Sequence, residues 1–183
     1  MAVGVTTTGM QGVVALPIVL PLLGAALGVV LGAWRQVQRA ITLITLTAVL
    51  CISIALLIEA DSTGYVVQSA GGWSAPLGIV LVIDRLAGIM LVVSAIVLLA
   101  VAVYAIGQGS EERHRVAFHP LYLVLAAGVS ASFITGDLFN LFVAFEMMLA
   151  ASYVLITLGG RPDQVHAGMT YVVISLVAST LFI

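Results

Sequence analysis

The chain has 183 residues, of which 62% are hydrophobic and 8% are charged, and its formal net charge is −2. A soluble domain carries about 25% charged residues, so this composition excludes an ordinary soluble domain and indicates an integral membrane protein. All six basic residues are arginines, and acidic residues outnumber them. The composition therefore also excludes the basic surface by which proteins bind nucleic acid.

Six apolar segments predict an all-α fold, a polytopic transmembrane helix bundle. A helix needs roughly 20 apolar residues to cross the bilayer, and these segments reach or approach that length. In chain order they cover about 13–34, 40–58, 79–106, 120–135, 138–158 and 165–183. The sixth is still apolar at Ile183, so we expect a truncated polypeptide; a genuinely short chain is the alternative. Residues 1–12 contain no basic residue, so we expect them to belong to the mature protein rather than to a signal peptide.

The distribution of arginine predicts how the bundle is oriented. Five of the six arginines follow the first, third or fifth segment, namely Arg35, Arg39, Arg113, Arg115 and Arg161. The loops on the opposite side contain Arg85 together with the acids Glu59 and Asp61. Because basic loops stay in the cytoplasm, we expect the N-terminus to lie outside.

Two loops on the predicted outer side have turn signals. The longer one, near 60–78, contains Gly71-Gly72 beside a short β-branched run, which predicts a hairpin-like excursion. The shorter one, 135–137, leaves so few residues between the fourth and fifth segments that these must form an antiparallel helical hairpin. Asp137 is placed to cap the fifth helix.

Glu146 is the strongest candidate functional residue. It lies about eight residues into the fifth segment, roughly 12 Å below the outer end of a helix, and thus close to the bilayer midplane. A charged residue there costs at least ~2.5 kcal/mol on insertion scales, and intramembrane acids typically move ions or protons. Helical spacing predicts an apolar collar around it, apart from the hydroxyl of Tyr153. We therefore expect Glu146 to load and release a proton; a protonated glutamate that holds two helices together is the alternative.

Ser132 in the fourth segment and Ser175 in the sixth each share a helical face with small or hydroxyl residues. These neighbours are Gly128 and Thr135 for Ser132, and Gly168, Tyr171 and Ser179 for Ser175. Such spacing is typical of close helix packing. The alternative is that Ser132, Ser175 and Tyr153 belong to a relay and hold water molecules that lead to Glu146.

His119 precedes Pro120 at the start of the fourth segment. It is interpreted either as a surface histidine before a proline in the first helical position or as a proton acceptor on the inner side. No Lys, Arg or His in the chain is expected to lie deep enough to pair with Glu146, so we expect its basic partner outside this chain.

No motif in the sequence indicates a catalytic or metal centre. There is no phosphate-binding glycine-rich loop, no Cys or His cluster at metal-ligand spacing and no set of nucleophile, base and orienting residue. The single cysteine, Cys51, lies inside an apolar run and is predicted to be a small buried hydrophobic residue. We accordingly expect neither a cofactor nor an enzymatic activity.

The most characteristic part of the sequence begins near residue 71. It comprises GGWSAPLGIVLVIDRLAGIML, HPLYLVLAAGVSASFITGDLFNLFVAFEMMLAASYVLITLGG and AGMTYVVISLVASTLFI. These stretches resemble the D subunit of the Mrp-type multisubunit Na⁺/H⁺ antiporters. GDLFNLF followed by FE and ASY favours this protein over the related proton-pumping subunits of respiratory complex I and membrane-bound hydrogenases.

The resemblance implies a protein of fourteen transmembrane helices, in which two inverted five-helix repeats begin at the fourth helix. Residues 1–118 would form an N-terminal three-helix region with the external loop near 60–78, and residues 119–183 would begin the first repeat. It also implies that Glu146 matches the glutamate on the family's fifth helix, whose partner is a lysine on helix seven, beyond this chain.

The resemblance and Glu146 together predict a proton-translocating subunit of a Na⁺/H⁺ antiporter. Its expected partners are the other subunits of a hetero-oligomeric complex, the lipid bilayer, H⁺ and Na⁺, and its expected location is the bacterial cell (inner) membrane. One alternative is a proton-pumping subunit of an electron-transfer complex of the complex I or hydrogenase type. The other is a structural scaffold in which Glu146 pins a contact between helices.

Overall fold

The computed structural model describes residues 11–32, 34–69, 78–108, 117–160 and 162–182. Within these ranges the chain forms six α-helices and one pair of β-strands, after a short 3₁₀ turn at Gln11–Val13. The elements are α1 Leu16–Val30, α2 Arg35–Thr63, β1 Tyr65–Ser69, β2 Val80–Asp84, α3 Arg85–Gly107, α4 Phe118–Ile134, α5 Leu138–Thr157 and α6 Pro162–Phe182. This confirms the predicted multi-pass helix bundle.

Four of the described helices are long and apolar enough to cross a membrane, namely α2, α3, α5 and α6. The apolar helices α1 and α4 have 15 and 17 residues and fall short of the roughly 20 that a span requires. The second predicted segment was too short, because α2 continues through polar residues at both of its ends. Gly64 follows its last residue as the C-cap. The φ of Gly64 is 90°, a left-handed backbone conformation that glycine adopts without strain and that is typical of the residue after a helix.

The helices pack in an order that places α4 inside the bundle and α5 and α6 at its edge. α1 contacts α2 and α4, α2 contacts α3, and α5 lies between α4 and α6. Glycines permit the close approaches: a Cβ at Gly128 would lie 2.7 Å from Met148 Cγ on α5, and one at Gly88 would lie 2.9 Å from Leu57 Cδ1 on α2. Small residues at helix contacts are the usual means of packing helices in a bilayer.

The predicted excursion between the second and third segments is confirmed as a β-hairpin. β1 and β2 pair antiparallel, with Val66 opposite Ile83 and Gln68 opposite Leu81. Its predicted turn at Gly71-Gly72 lies outside the described residues. Contrary to the sequence prediction, residues 80–84 form a strand rather than the start of the third helix, because they hydrogen bond to β1 instead of continuing the apolar helix.

The hairpin closes one end of the bundle, which we call the hairpin end. There the start of α1, the end of α2 and the end of α4 meet the strands in one buried apolar cluster that includes Val14, Leu56, Ile83 and Ile134. The backbone N–H of Gly136, in the turn between α4 and α5, donates to Val80 O at 2.7 Å. A Cβ on Gly136 would lie 2.9 Å from that oxygen, so this close contact requires glycine.

The charges divide between the two ends of the bundle as the sequence predicts, where the structure describes them. Arg35 and Arg39 lie in the first turns of α2, whereas Asp61 and Arg85 lie at the hairpin end. Arg85 Nε pairs with Asp61 Oδ1 at 2.9 Å, but the two side chains are 66% and 70% exposed, so the pair contributes at most about 1 kcal/mol. Arg113, Arg115 and Arg161 lie outside the described residues, and an external N-terminus stays a prediction.

Cys51 corrects one expectation from the sequence. It is a free thiol on the exposed side of α2, not a buried residue. The side of α2 that is buried against its neighbours is formed by other positions, among them Leu46, Val49, Ser53 and Leu56. In a membrane protein the apolar run around Cys51 can face the bilayer, so apolar neighbours in the sequence do not imply burial within the protein.

The start of α5 is fixed by the predicted cap. Asp137 Oδ1 accepts a hydrogen bond from the backbone N–H of Asn140 at 2.6 Å, which satisfies one of the N–H groups that have no partner at the beginning of a helix. The side-chain amide of Asn140 donates in turn to Thr135 Oγ1 at 2.9 Å. The turn between α4 and α5 is thus held by side chains as well as by the hairpin.

Replacing Asp137 by alanine is expected to lower the free energy of unfolding by about 1 kcal/mol, because the acceptor for the Asn140 N–H is lost. Asp137→Asn keeps a side-chain oxygen that can cap the helix and should behave like the wild type. Thermal unfolding of the full-length protein in detergent measures both variants. Equal melting temperatures for the alanine and asparagine variants would show that the cap contributes nothing.

Candidate functional site

Glu146 lies near the middle of the 20-residue helix α5, on the side that faces away from α4. The side toward α4 is formed by Ala144 and Ala151, both buried, and by Met148, which touches the position of Gly128. Each residue advances a helix by about 100°, so Glu146 lies about 200° around the helix from both Ala144 and Met148. Its side chain is half-buried and directed toward α6.

The carboxylate of Glu146 has a described partner on α6. The hydroxyl of Ser179 donates a hydrogen bond to Glu146 Oε1. The contact joins residues 33 positions apart in the sequence, and it ties the middle of α5 to the last turns of α6. The bond holds the carboxylate on the side of α5 that faces α6.

Two adjoining clefts lie along the contact between α5 and α6. The first, about 270 Å³ in volume, is lined by Glu146, Tyr153, Tyr171 and Ser175 together with apolar side chains. The second, about 430 Å³, shares Tyr171 and Ser175 with the first and includes Ser179 and Ser152. Each is large enough for several water molecules, whose share of liquid volume is about 30 Å³, and both have hydroxyl groups that could hold water.

The structure brings two of the predicted relay residues to Glu146. Tyr153 and Ser175 both line the first cleft, as helical spacing predicted for Tyr153. The hydroxyl of Tyr153 lies 3.9 Å from Met169 Sδ on α6, so this side chain also belongs to the α5–α6 contact. Their participation in a relay stays a prediction.

Ser132 is placed elsewhere. Its hydroxyl donates to Val129 O in its own helix at 2.8 Å, and it is not among the described residues that line the two clefts. The neighbouring Gly128 packs directly against α5. For this face of α4 the structure therefore supports close helix packing rather than the relay.

His119 is buried, which corrects the interpretation as a surface histidine. Its side chain is 6% exposed, and Nδ1 lies 3.2 Å from Thr42 Oγ1 on α2. Pro120 occupies the third position of α4 rather than the first. The burial arises because the start of α4 packs against α1 and α2, at the end of the bundle opposite the hairpin and away from the clefts around Glu146.

The contact of His119 belongs to a buried polar network between α1, α2 and α4. The Thr42 hydroxyl, fully buried, donates to Gln38 O at 3.0 Å, and the Gln38 side-chain amide donates to Gly28 O at 2.8 Å. The same hydroxyl contacts His119 Nδ1, so Thr42 joins His119 to this network. This network was missed by the sequence analysis, because nothing local shows that residues so far apart in the sequence meet.

Ser179 was recognised in the sequence as part of a face of the sixth helix but was not selected as a site residue. The sequence shows that Ser179 lies four residues after Ser175 and therefore on the same side of the helix. It does not show that Ser179 lies at the same depth in the bundle as Glu146. Among the described residues no cluster of three or more His, Cys, Asp or Glu could hold a metal ion. No cationic side chain of the described residues lines either cleft.

The apolar bundle and the carboxyl in the middle of one of its helices define the class: a polytopic membrane protein with an ionisable group halfway along a helix that is long and apolar enough to cross the bilayer. No family model matches the sequence. The chain is 41% identical over 174 residues to the D subunit of a Na⁺/H⁺ antiporter of Alkalihalophilus pseudofirmus, a match that covers 95% of this chain and 35% of that protein. The chain thus spans about a third of the length of this curated relative.

Two solved structures share the fold. A chain of the Mrp complex from Dietzia sp. superposes with a TM-score of 0.87 at 29% identity, over 94% of this chain and 33% of that one. A chain of an archaeal respiratory membrane complex, the membrane-bound sulfane sulfur reductase, gives 0.85 at 29% identity, over 92% of this chain and 35% of that one. The chain is therefore related to the D subunit of multisubunit Na⁺/H⁺ antiporters, as the sequence resemblance indicated.

Proposed function

We propose that the chain is part of a proton-translocating subunit of a multisubunit monovalent cation/proton antiporter, in which Glu146 carries the proton. The observation that carries this proposal is a carboxylate in the middle of a membrane-spanning helix, at the edge of hydroxyl-lined clefts. An ionisable group at this depth is expensive to insert and typically serves ion or proton movement. The names of the relatives supply the cation/proton exchange.

The geometry suits a carrier that exchanges protons through water. The first cleft, which Glu146 lines, gives the carboxylate room for solvent on the side of α6, and Tyr153, Tyr171 and Ser175 offer hydroxyl groups that both donate and accept hydrogen bonds. Protons can pass along such groups and the waters that they hold. The apolar packing of α5 against α4 closes the other side, so proton exchange runs along the contact between α5 and α6.

The proposed partners are supported by the relatives, of which the chain covers about a third, and by its surface. Large apolar side chains on the outer sides of α5 and α6 are exposed, among them Phe139, Val143, Ile174 and Val177. Lipid and the remaining helices of a longer protein would cover such a surface in a membrane. We place the protein in the bacterial cell membrane, with its N-terminus outside, in contact with other subunits of the antiporter and with a basic partner for Glu146 supplied from beyond this chain.

A proton-pumping subunit of an electron-transfer complex is the second candidate. The structural likeness to a chain of a respiratory membrane complex favours it. The sequence identity to that chain is the same as to the chain of the Mrp complex, 29%, and the TM-scores of 0.85 and 0.87 are nearly equal. The higher sequence identity to antiporter subunits, 38% and 41% in two organisms, favours the antiporter.

The experiment that separates the two uses inside-out membrane vesicles containing the complete complex. After a pH gradient is imposed, an antiporter collapses it when Na⁺ or K⁺ is added, in the absence of any electron donor. A redox-driven pump instead builds a gradient on addition of an electron donor and shows no collapse that depends on these cations. The second result would overturn the proposed function.

A further inference from the structure

We propose that Ser179 is a positioning residue for Glu146, whose hydroxyl holds the carboxylate on the α6 side of α5, where it exchanges its proton. This inference rests on the proposed function, because it assigns Ser179 a role in the reaction of the same carboxyl. Ser179 touches no transported ion in the structure. It acts through its hydrogen bond to Glu146 Oε1.

The way in which Ser179 uses its proton distinguishes it from other hydroxyl residues in these helices. Thr170 and Thr180 on α6 donate to the carbonyl four residues earlier in the same helix, at 3.2 and 2.7 Å, and the buried Ser53 on α2 does the same. This local bond is the default for a hydroxyl within an apolar helix. The Ser179 hydroxyl instead donates across the helix contact to a carboxylate.

The consequence for proton exchange follows from the position of the carboxylate. The bond from Ser179 holds Glu146 Oε1 toward α6, and the cleft that Glu146 lines is also lined by Tyr153, Tyr171 and Ser175. In surroundings of low polarity such a bond is stronger than in water. Loss of the Ser179 hydroxyl therefore frees the carboxylate to leave this position and lowers the rate of proton exchange.

Other groups near the carboxyl do not replace this donor. The titratable side chains that line the first cleft beside Glu146 are Tyr153 from α5 and Tyr171 from α6. α4 contributes Leu125 to the second cleft. In the described part of α6, Asp163 and His166 lie near its beginning, about four and a half and three and a half turns, respectively, before Ser179.

The test compares Ser179→Ala, Ser179→Thr and Thr180→Ala in the full-length protein within its complex. Cation-dependent proton exchange is measured in vesicles across a range of pH, with the amount of assembled complex determined on the same membranes. Ser179→Ala is expected to lower the exchange rate per assembled complex by about tenfold, the effect of losing one hydrogen bond to a charged group. Ser179→Thr keeps the hydroxyl and should restore the wild-type rate. Thr180→Ala, which removes a hydroxyl bonded within its own helix, should leave the rate unchanged.

The outcomes separate this inference from the proposed function. If Glu146→Gln is inactive but Ser179→Ala exchanges at the wild-type rate per complex, or Ser179→Thr is as slow as Ser179→Ala, Ser179 has no positioning role and the inference is wrong. If Glu146→Gln itself exchanges normally, the proposed function fails first. Should Ser179→Ala not accumulate, Ser179→Cys provides a similar volume with a weaker donor; a smaller loss of rate supports the inference and a wild-type rate overturns it.

Discussion

Glu146→Gln is expected to reduce cation-dependent proton exchange to the background level of vesicles without the complex, while the complex still assembles. Glutamine has nearly the same shape, and its side-chain oxygen can accept the hydrogen bond from Ser179. It cannot bind and release a proton in the working range. Because a neutral amide is cheaper to insert than a carboxylate at this depth, the folded protein should be no less abundant than the wild type. The collapse of an imposed pH gradient on addition of Na⁺ or K⁺ is the measurement.

Two further variants control for this result. Glu146→Asp keeps the carboxyl but shortens the side chain by one methylene, so it should retain part of the exchange and lose some of its contact with Ser179. Asp137→Asn neutralises the acid that caps the start of α5 and retains a capping oxygen. This variant should exchange at the wild-type rate. Wild-type exchange by Glu146→Gln in an assembled complex would mean that the acid only pins α5 to α6, as the scaffold alternative holds.

The part of the fold that could be predicted from the sequence is the part that local chemistry decides. The short turn at 135–137 fixed α4 and α5 as neighbours, and the Asp137 cap placed the start of α5 at Leu138, where the structure has it. Residues 80–84 show what local chemistry does not decide. A short apolar run of this kind is compatible with either a helix or a strand, and the pairing with β1 makes it a strand.

The candidate site divides in the same way. An acid in a long apolar run is visible in the sequence, so Glu146 could be selected without a structure. Its partner Ser179 could not, because the relative level of α5 and α6 depends on the geometry of the connection between them. The burial of His119 depends likewise on the packing of α4 against α1 and α2, and its contact Thr42 lies 77 residues away in the sequence.

Gly128→Leu is expected to be the most damaging substitution outside the site. A Cβ at this position would already lie 2.7 Å from Met148 Cγ, 3.2 Å from the Met148 backbone nitrogen and 3.3 Å from Ala144 O. The Met148 side chain could move aside, but the two backbone atoms cannot without a shift of α5. Overpacking of this kind costs about 1–3 kcal/mol, so the melting temperature in detergent and the yield of folded protein should both fall.

The matched control is Gly107→Leu, at the end of α3, where an added Cβ meets nothing within 4 Å. It introduces the same apolar side chain into a membrane helix and should leave the free energy of unfolding within about 0.5 kcal/mol of the wild type, as is usual for surface positions. If both leucine variants unfold alike, the contact between α4 and α5 is not tight at Gly128.

The Gly128 variant also tests how the site is held in place. α5 is fixed on one side by its contact with α4 and presents Glu146 on the opposite side to Ser179. A displacement of α5 away from α4 would therefore change the approach of Glu146 to α6 without altering any group that binds a proton. In the fraction of Gly128→Leu that still assembles, we expect a lower exchange rate per complex than in Gly107→Leu. Equal rates would show that α6, rather than α4, determines the position of the carboxylate.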